Sequence, residues 1–213
     1  SLQDVREGIS ECSDTSARRN AVEGRGDSKS GGLFRMNHKR IELSTGKIDI
    51  YDDIIPLVDS QKMYNFFLKE CGWFLGWKDT SDADRNLHAQ LKPGQFDYVT
   101  DHLGGQKEFK ERTMGMNNEF IIANLSHASS VHHKHAHNDY DLVVLYYANP
   151  KWEEHWEGET MFFSEEGDVE YTSKYKPRRV VVFDASIPHT IRAQSAAGPQ
   201  FRFSLSYFWR KES

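Results

Sequence analysis

Apolar positions are spread unevenly along this chain, and their spacing changes character twice. In residues 1–35 the apolar positions are isolated (Val5, Ile9, Val22) among Ser, Gly, Arg, Asp and Glu, with no helical or strand period. Asp27-Ser28-Lys29-Ser30-Gly31-Gly32 is linker chemistry. Such a segment buries too little to offset chain entropy, so 1–35 is read as a flexible tail and 36–213 as one domain. Lys47-Ile48-Asp49-Ile50-Tyr51 alternates as a short strand, and order is expected to begin there. Asp59 or Ser60 caps a helix that runs to about Cys71, with Met63, Phe66 and Phe67 spaced along it and Gly72 ending it. Trp73-Phe74-Leu75-Gly76-Trp77 reads as a strand, 78–95 as polar loop, and 96–114 as containing a helix.

From Glu119 onward the pattern turns to β. Short runs rich in Val, Tyr, Phe and Thr fall at 120–125, 142–148, 159–163, 168–172, 179–184, 188–194 and 200–209. Gly, Pro, Asn and Asp turns separate them at roughly ten-residue intervals. That spacing predicts a mainly β (α+β) domain, a sandwich or jelly roll with supporting helices at its N-terminal side. In the last run Arg202, Ser204 and Ser206 alternate with Phe201, Phe203, Leu205 and Tyr207, so the polar set shares one face. Two readings of that face stand side by side: a solvated surface, or a polar cavity inside the roll.

Composition narrows the class. The 213 residues suit one domain with additions, and 38% hydrophobic content with 13% aromatic supplies a core. A net charge of −5 disfavours general binding to nucleic acid or an anionic membrane. No apolar run of about 20 residues spans a membrane, and the first residues lack the apolar core of a signal peptide. Only Cys12 and Cys71 occur, which is no disulfide framework, so a reducing cytoplasm is the expected compartment. The partner expected is a small-molecule or peptidyl substrate; the oligomeric state is left open.

Candidate chemistry concentrates in Val131-His132-His133-Lys134-His135-Ala136-His137-Asn138-Asp139. An H-x-D triplet alone carries little weight, because a chain with ten histidines yields roughly one by chance. In an extended segment, however, residues i and i+2 share a side, so His137 and Asp139 can chelate one ion. His189, after Pro188 at the start of a strand run, can supply a third ligand. Two imidazoles and a carboxylate on one face leave three positions open, the facial triad of non-haem Fe(II) oxygenases. His135-Ala136-His137 is a rival H-x-H pair, of the kind cupins use.

Beyond the triplet, further motifs stand in order: Leu145-Tyr146-Tyr147-Ala148-Asn149-Pro150-Lys151-Trp152, Glu157-Gly158-Glu159-Thr160-Met161-Phe162-Phe163, Lys176-Pro177-Arg178-Arg179-Val180-Val181-Val182-Phe183-Asp184, Ile187-Pro188-His189 and Arg202-Phe203-Ser204-Leu205-Ser206. With these, the 131–209 segment resembles the Fe(II)- and 2-oxoglutarate-dependent oxygenases, in their prolyl-4-hydroxylase-like branch. The resemblance implies a double-stranded β-helix with its catalytic core at about 117–210. It implies Fe(II) on His137, Asp139 and His189, with 2-oxoglutarate and O2 as co-substrates and ascorbate as a candidate reductant. It further implies Arg202 and Tyr147 on the far carboxylate of 2-oxoglutarate; Thr190 and Ser204, close to these groups in sequence, are lesser candidates for added hydroxyl contacts. Hydroxylation of an unactivated C–H in a prolyl, peptidyl or small-molecule substrate would follow, with succinate and CO2 as co-products.

Where the branch has Gly-Gly before Glu-Thr, this chain has Glu157-Gly158, and Pro177-Arg178-Arg179 stands for Pro-Gly-Arg. The 13-residue interval from His189 to Arg202 is long, which makes Arg192 a rival for the co-substrate. Two other classes remain: a non-catalytic metal- or ligand-binding β-roll, and a cupin-type dioxygenase that does not use 2-oxoglutarate. The pairs Trp73/Trp77 and Trp152/Trp156 are candidates for the mouth of the roll. Glu153, Glu154, Glu157 and Glu159 around the second pair suggest an acidic entrance for a neutral or cationic substrate.

Overall fold

Strands with apolar residues at every position need cover on both faces, and this chain supplies the cover from two directions. In the computed structural model, which describes residues 37–75, 86–94, 96–130 and 132–212, the chain runs β1 (Asn37–Leu43), β2 (Gly46–Asp52), α1 (Leu57–Lys69), β3 (Phe74–Leu75), β4 (Leu87–Leu91), α2 (Tyr98–Leu103), α3 (Lys107–Thr113), β5 (Met116–Ser126), β6 (Leu142–Tyr147), a 3-10 turn (Glu154–Trp156), β7 (Thr160–Phe163), β8 (Val169–Ser173), β9 (Val180–Asp184), β10 (His189–Ile191) and β11 (Arg202–Lys211). The larger sheet has eight strands in the order β1-β2-β9-β6-β11-β5-β4-β3, and the smaller has three in the order β10-β7-β8. All the pairings are antiparallel. This is the double-stranded β-helix.

The period-2 alternation of side chains sorts the core into two layers. On the outer face of the large sheet Val144, Tyr146, Val182, Ile121, Ala123, Phe203, Leu205 and Tyr207 meet Met63 and Phe67 of α1, Val99 and Leu103 of α2 and Phe109 of α3. On the inner face Val143, Leu145, Tyr147, Val181, Phe183, Ile122 and Phe208 meet Phe162 of the small sheet and Tyr175. All six residues of β6 are buried for that reason. Tyr146, on the outer face, donates its hydroxyl to Ser60 Oγ at 2.9 Å, which fixes α1 against the sheet.

Several boundaries differ from the sequence reading. The helix begins two residues before Asp59, at Leu57. Pro56 precedes it, and the Pro56 carbonyl accepts the amides of Asp59 and Ser60. It ends at Lys69, three residues before Gly72, with the amides of Glu70 and Cys71 closing on Phe66. β1 lies ahead of the expected start of order, and β4 lies in the stretch read as loop. β1 is an edge strand with only Ile41 and Leu43 as apolar positions, so it lacks the alternation that marks a half-buried strand. The flexible-tail reading and Trp77 fall outside the described residues. No helix among the described residues is long and apolar enough to cross a membrane.

A buried carboxylate ties the helical layer to the sheet. Asp49 on β2 is fully buried. It accepts hydrogen bonds from Arg40 Nε at 2.8 Å and Arg112 Nη1 at 2.8 Å, and sits 2.7 Å from His38 Nε2. Burial alone would raise its pKa. The bonds from Arg40, His38 and Arg112 outweigh that and hold it below the usual carboxylate range. Breaking a buried pair leaves an uncompensated charge, so Arg112→Ala is expected to cost about 3 kcal/mol in urea unfolding. A depressed folded-state pKa contributes stability that is present above the unfolded value of about 4 and is lost as pH falls through the folded value. Unfolding free energy should therefore drop on acidification below about pH 4, and the acid limb should be shallower in Arg112→Ala.

Candidate metal centre and anion pocket

The segment between β5 and β6 is stitched onto the small sheet. His135 and His189 face each other as an antiparallel bridge and exchange both backbone bonds, at 3.0 and 2.8 Å. The His137 amide donates to the Ala185 carbonyl at 2.8 Å, and Thr190 Oγ1 donates to the His132 carbonyl at 2.9 Å. The segment is therefore locally extended, and His135 and His137 lie on one side of it. Together with His189 they form a group whose nitrogen donors lie within 4.8 Å of one another. Ring centroids are separated by 4.8 Å (His135–His137), 4.5 Å (His135–His189) and 5.1 Å (His137–His189).

Asp139 is not in that group. The amide of Tyr140 bonds back to the His137 carbonyl at 3.0 Å, so residues 137–140 form a turn. That turn ends the i, i+2 alternation at His137. Asp139 is left exposed, with its backbone carbonyl accepting from Arg210 Nε at 2.8 Å.

Phe208, Phe183 and Phe162 wall the imidazoles, with Phe208 edge-on to His137 at 4.9 Å and Phe183 edge-on to His189 at 4.8 Å. Burial and the neighbouring histidines lower the pKa of His137 to about 4 and that of His189 to about 3. Both rings are thus neutral at pH 7, the form that binds a metal. His189 Nδ1 lies 2.9 Å from the Ile187 carbonyl, and His135 Nδ1 lies 2.9 Å from the His133 carbonyl. A carbonyl only accepts, so Nδ1 carries the proton in each ring and Nε2 presents the lone pair. Ligand nitrogens about 2.1 Å from an ion stand roughly 3 Å apart. The exposed His135 ring can close that difference by rotating, and the donor set fits a divalent first-row ion.

The other end of the inner face is built around Arg202, which is 1% exposed. Its Nε donates to the Gly158 carbonyl at 3.0 Å, and Nη1 lies 3.5 Å from Ser204 Oγ. The guanidinium packs over the rings of Tyr175 at 4.8 Å and Tyr147 at 5.6 Å. Nη2 has no hydrogen-bond partner. Burial lowers the Arg202 pKa. The rival Arg192 is half exposed and pairs with Glu157 Oε1 at 2.6 Å.

The Tyr147 hydroxyl points to Thr160 Oγ1 at 2.9 Å. Tyr147 and Ser204 are cross-strand partners, as are Val143 and Phe208. The guanidinium therefore sits about four residues, roughly 13 Å, along the strands from the level of Phe208 and His137. Ser204 and Ser206 share the inner face between the two ends.

Two residues that sequence reasoning gave no role hold this end in place. Asn149 Oδ1 accepts the Phe203 amide at 2.7 Å, and its Nδ2 donates to the Phe201 carbonyl at 2.9 Å. The carboxamide thus acts as a strand partner on both sides of Arg202. Tyr175 accepts the Asn149 amide at 2.9 Å and lies 2.6 Å from the Phe203 carbonyl. Gly158 has φ +82°, and a Cβ there would come within 3.1 Å of Trp152 and 3.3 Å of Arg202.

The tryptophan and glutamate readings are modified. Trp73 packs behind the large sheet against Phe67 and Phe203. Trp152 lines a cleft of about 220 Å³ with Glu154, Glu157, Glu159 and Tyr175. Glu153, Glu154 and Glu157 are paired with Lys151, Lys174 and Arg192, which removes most of the negative charge expected there.

The model of the 2OG-Fe(II) oxygenase superfamily matches residues 122–210. That segment is a 2OG-Fe(II) oxygenase domain. Fe(II) and 2-oxoglutarate are the metal and co-substrate of such a domain, and the enzyme class is oxygenase. Among solved structures, a prolyl hydroxylase from Trichoplax adhaerens, in complex with a hypoxia inducible factor oxygen degradation domain peptide fragment, is similar in fold. Its TM-score is 0.62 at 14% identity over 77% of this chain and 83% of that one. A Pseudomonas putida prolyl-4-hydroxylase gives 0.59 at 14% identity over 80% and 95%. HygX from Streptomyces hygroscopicus, solved with nickel and 2-oxoglutarate, gives 0.59 at 8% identity over 79% and 84%. No curated protein sequence matches the chain.

Asn149→Ala would strip partners from one buried and one partly buried backbone group, and an orphaned buried group costs about 1–3 kcal/mol. Urea unfolding of this variant should show a loss of about 3 kcal/mol. A change under about 0.5 kcal/mol would mean that Asn149 does not brace Arg202.

Proposed function

We propose that the protein hydroxylates an unactivated C–H bond of a peptidyl or small-molecule substrate, using Fe(II), 2-oxoglutarate and O2. The observation that carries the proposal is Arg202. A fully buried guanidinium with one unpartnered nitrogen lies on the same inner face as a cluster of imidazoles. An unpaired buried cation is costly unless an anion joins it, and a planar fork suits a carboxylate. Arg202 would hold the far carboxylate of 2-oxoglutarate, with the Tyr147 hydroxyl turning from Thr160 toward the same group. Ser204 and Ser206 would line the channel between that carboxylate and the imidazoles. The phenylalanines around His137 and His189 would keep water from the reacting end. When bound, the metal and co-substrate supply the oxidising chemistry, with succinate and CO2 as co-products.

The substrate reading draws on the Trichoplax neighbour, which was solved with a peptide. A second reading, a dioxygenase that does not use 2-oxoglutarate, takes support from the imidazole-only cluster. Arg202 separates the two. Under the proposal, anaerobic Fe(II) plus 2-oxoglutarate gives a visible charge-transfer band that O2 bleaches as succinate forms. Arg202→Met keeps much of the volume and should weaken 2-oxoglutarate binding about 100-fold, the equivalent of losing a charge-assisted bond of about 3 kcal/mol. Wild-type protein with neither band nor succinate sinks the proposal. Unchanged turnover in Arg202→Met points to the second reading.

A further inference from the structure

We infer that His135, and not Asp139, is the third metal ligand, so that the ion sits among three imidazoles. This rests on the metal reading above and deepens it. Four independent features of the chain meet at His135. First, the two-bond backbone bridge to His189 places the side chains of 135 and 189 directly opposite one another. Residues that exchange both bonds project their side chains to the same face. Second, the extended backbone between 135 and 137 sends both rings to one side, and the His137–Tyr140 bond ends that alternation before Asp139. Third, His135 is oriented as His189 is, with Nδ1 on a backbone carbonyl and Nε2 free for a metal. This is the outer support that metal-binding histidines characteristically have. Fourth, no Asp or Glu among the described residues joins the group.

The consequence is electrostatic. Two imidazoles and a carboxylate leave a divalent centre with a net charge of +1, whereas three imidazoles leave +2. A 2-oxoglutarate dianion then brings this site to neutrality instead of to −1, and the centre has a stronger pull on any small anion that takes an open position. An all-nitrogen donor set also shifts preference toward Co(II), Ni(II) and Zn(II) and away from the oxygen-seeking Mn(II) and Mg(II).

The probe is Co(II), added to the full-length protein and followed by its visible spectrum, with X-ray absorption to count imidazoles. Wild type should show three imidazoles. His135→Ala should show two and bind Co(II) at least 10-fold more weakly. Asp139→Asn should stay within about 2-fold of wild type, and so should His133→Ala, which controls for the run of neighbouring histidines. His135→Asp should retain Co(II) with one imidazole fewer, showing that position 135 acts through its donor atom and not through the fold. Azide should bind the wild-type Co(II) centre more tightly than the His135→Asp centre. Two imidazoles in wild type, or weak binding in Asp139→Asn with normal binding in His135→Ala, would overturn the inference while leaving the oxygenase proposal standing. Wild type that binds no Co(II) or Fe(II) would end both.

Discussion

A buried guanidinium with no carboxylate in hydrogen-bond contact, and only the charge of Glu159 acting on it from farther off, is the constraint around which this fold is arranged. Moving a full charge out of water is expensive, and Arg202 receives only partial compensation from within the chain. The Gly158 carbonyl, the Ser204 hydroxyl and two tyrosine faces meet it, and one nitrogen is left unsatisfied. Each contact constrains its surroundings. Gly158 adopts a left-handed conformation so that its carbonyl can turn inward without a side chain striking Trp152 or Arg202. Tyr147 and Tyr175 stack at 4.5 Å and present their faces to the cation. Asn149 sets both ends of its carboxamide on the backbone either side of residue 202, and its Oδ1 also meets the Tyr175 hydroxyl. Such a concentration of buried polar groups is what an anion site requires before the anion arrives.

The register of β11 then carries that site toward the imidazoles. The strand lies between β5 and β6 and is paired with both along most of its length. Its period of two keeps Arg202, Ser204, Ser206 and Phe208 on the inner face, and Phe208 touches His137. A slip of one residue would send all four outward and bring Phe203, Leu205 and Tyr207 into the channel. The outer layer prevents such a slip. Tyr207 donates to the Phe96 carbonyl at 2.7 Å, and Phe203 stacks with Phe67 of α1. The helices hold the inner face in register without touching it.

How much of this was legible in the sequence depended on whether the signal was local. β6 and β9 are continuous apolar runs because both of their faces are covered, and such runs are visible in one dimension. The alternation in β11 was equally plain, although the sequence left open whether its polar face met solvent or a cavity. β1 and β4 were not read as strands: one is an edge strand, and the other, Leu87-His88-Ala89-Gln90-Leu91, alternates over only five residues and lies next to the edge of the sheet. The histidine segment marks the limit most clearly. The i, i+2 rule applied equally to 135/137 and to 137/139. What separates the two pairs is the hydrogen bond from Tyr140 to His137 together with the bridge to His189, and neither leaves a mark in composition or spacing. Asn149 and Tyr175 were beyond reach for the same reason, since their roles exist only after the chain has folded back on Phe201 and Phe203.

The electrostatic network on the helical side belongs to the same argument, because it ends at the imidazole cluster. Arg112 of α3 bonds to Asp49, to the Val182 carbonyl and to Asp184 at the end of β9. Asp184 Oδ2 also accepts the Lys47 amide at 2.8 Å. The next residue, Ala185, takes the His137 amide through its carbonyl and donates its own amide to the Asp141 carbonyl at 3.1 Å. The segment carrying His135 and His137 therefore hangs from a strand end that the Arg112 guanidinium holds in place. A donor set is only as well ordered as the backbone beneath it. The costly burial of Asp49 with three basic partners is best understood as fixing the end of β9, from which both His137 and, four residues beyond Ala185, His189 are positioned.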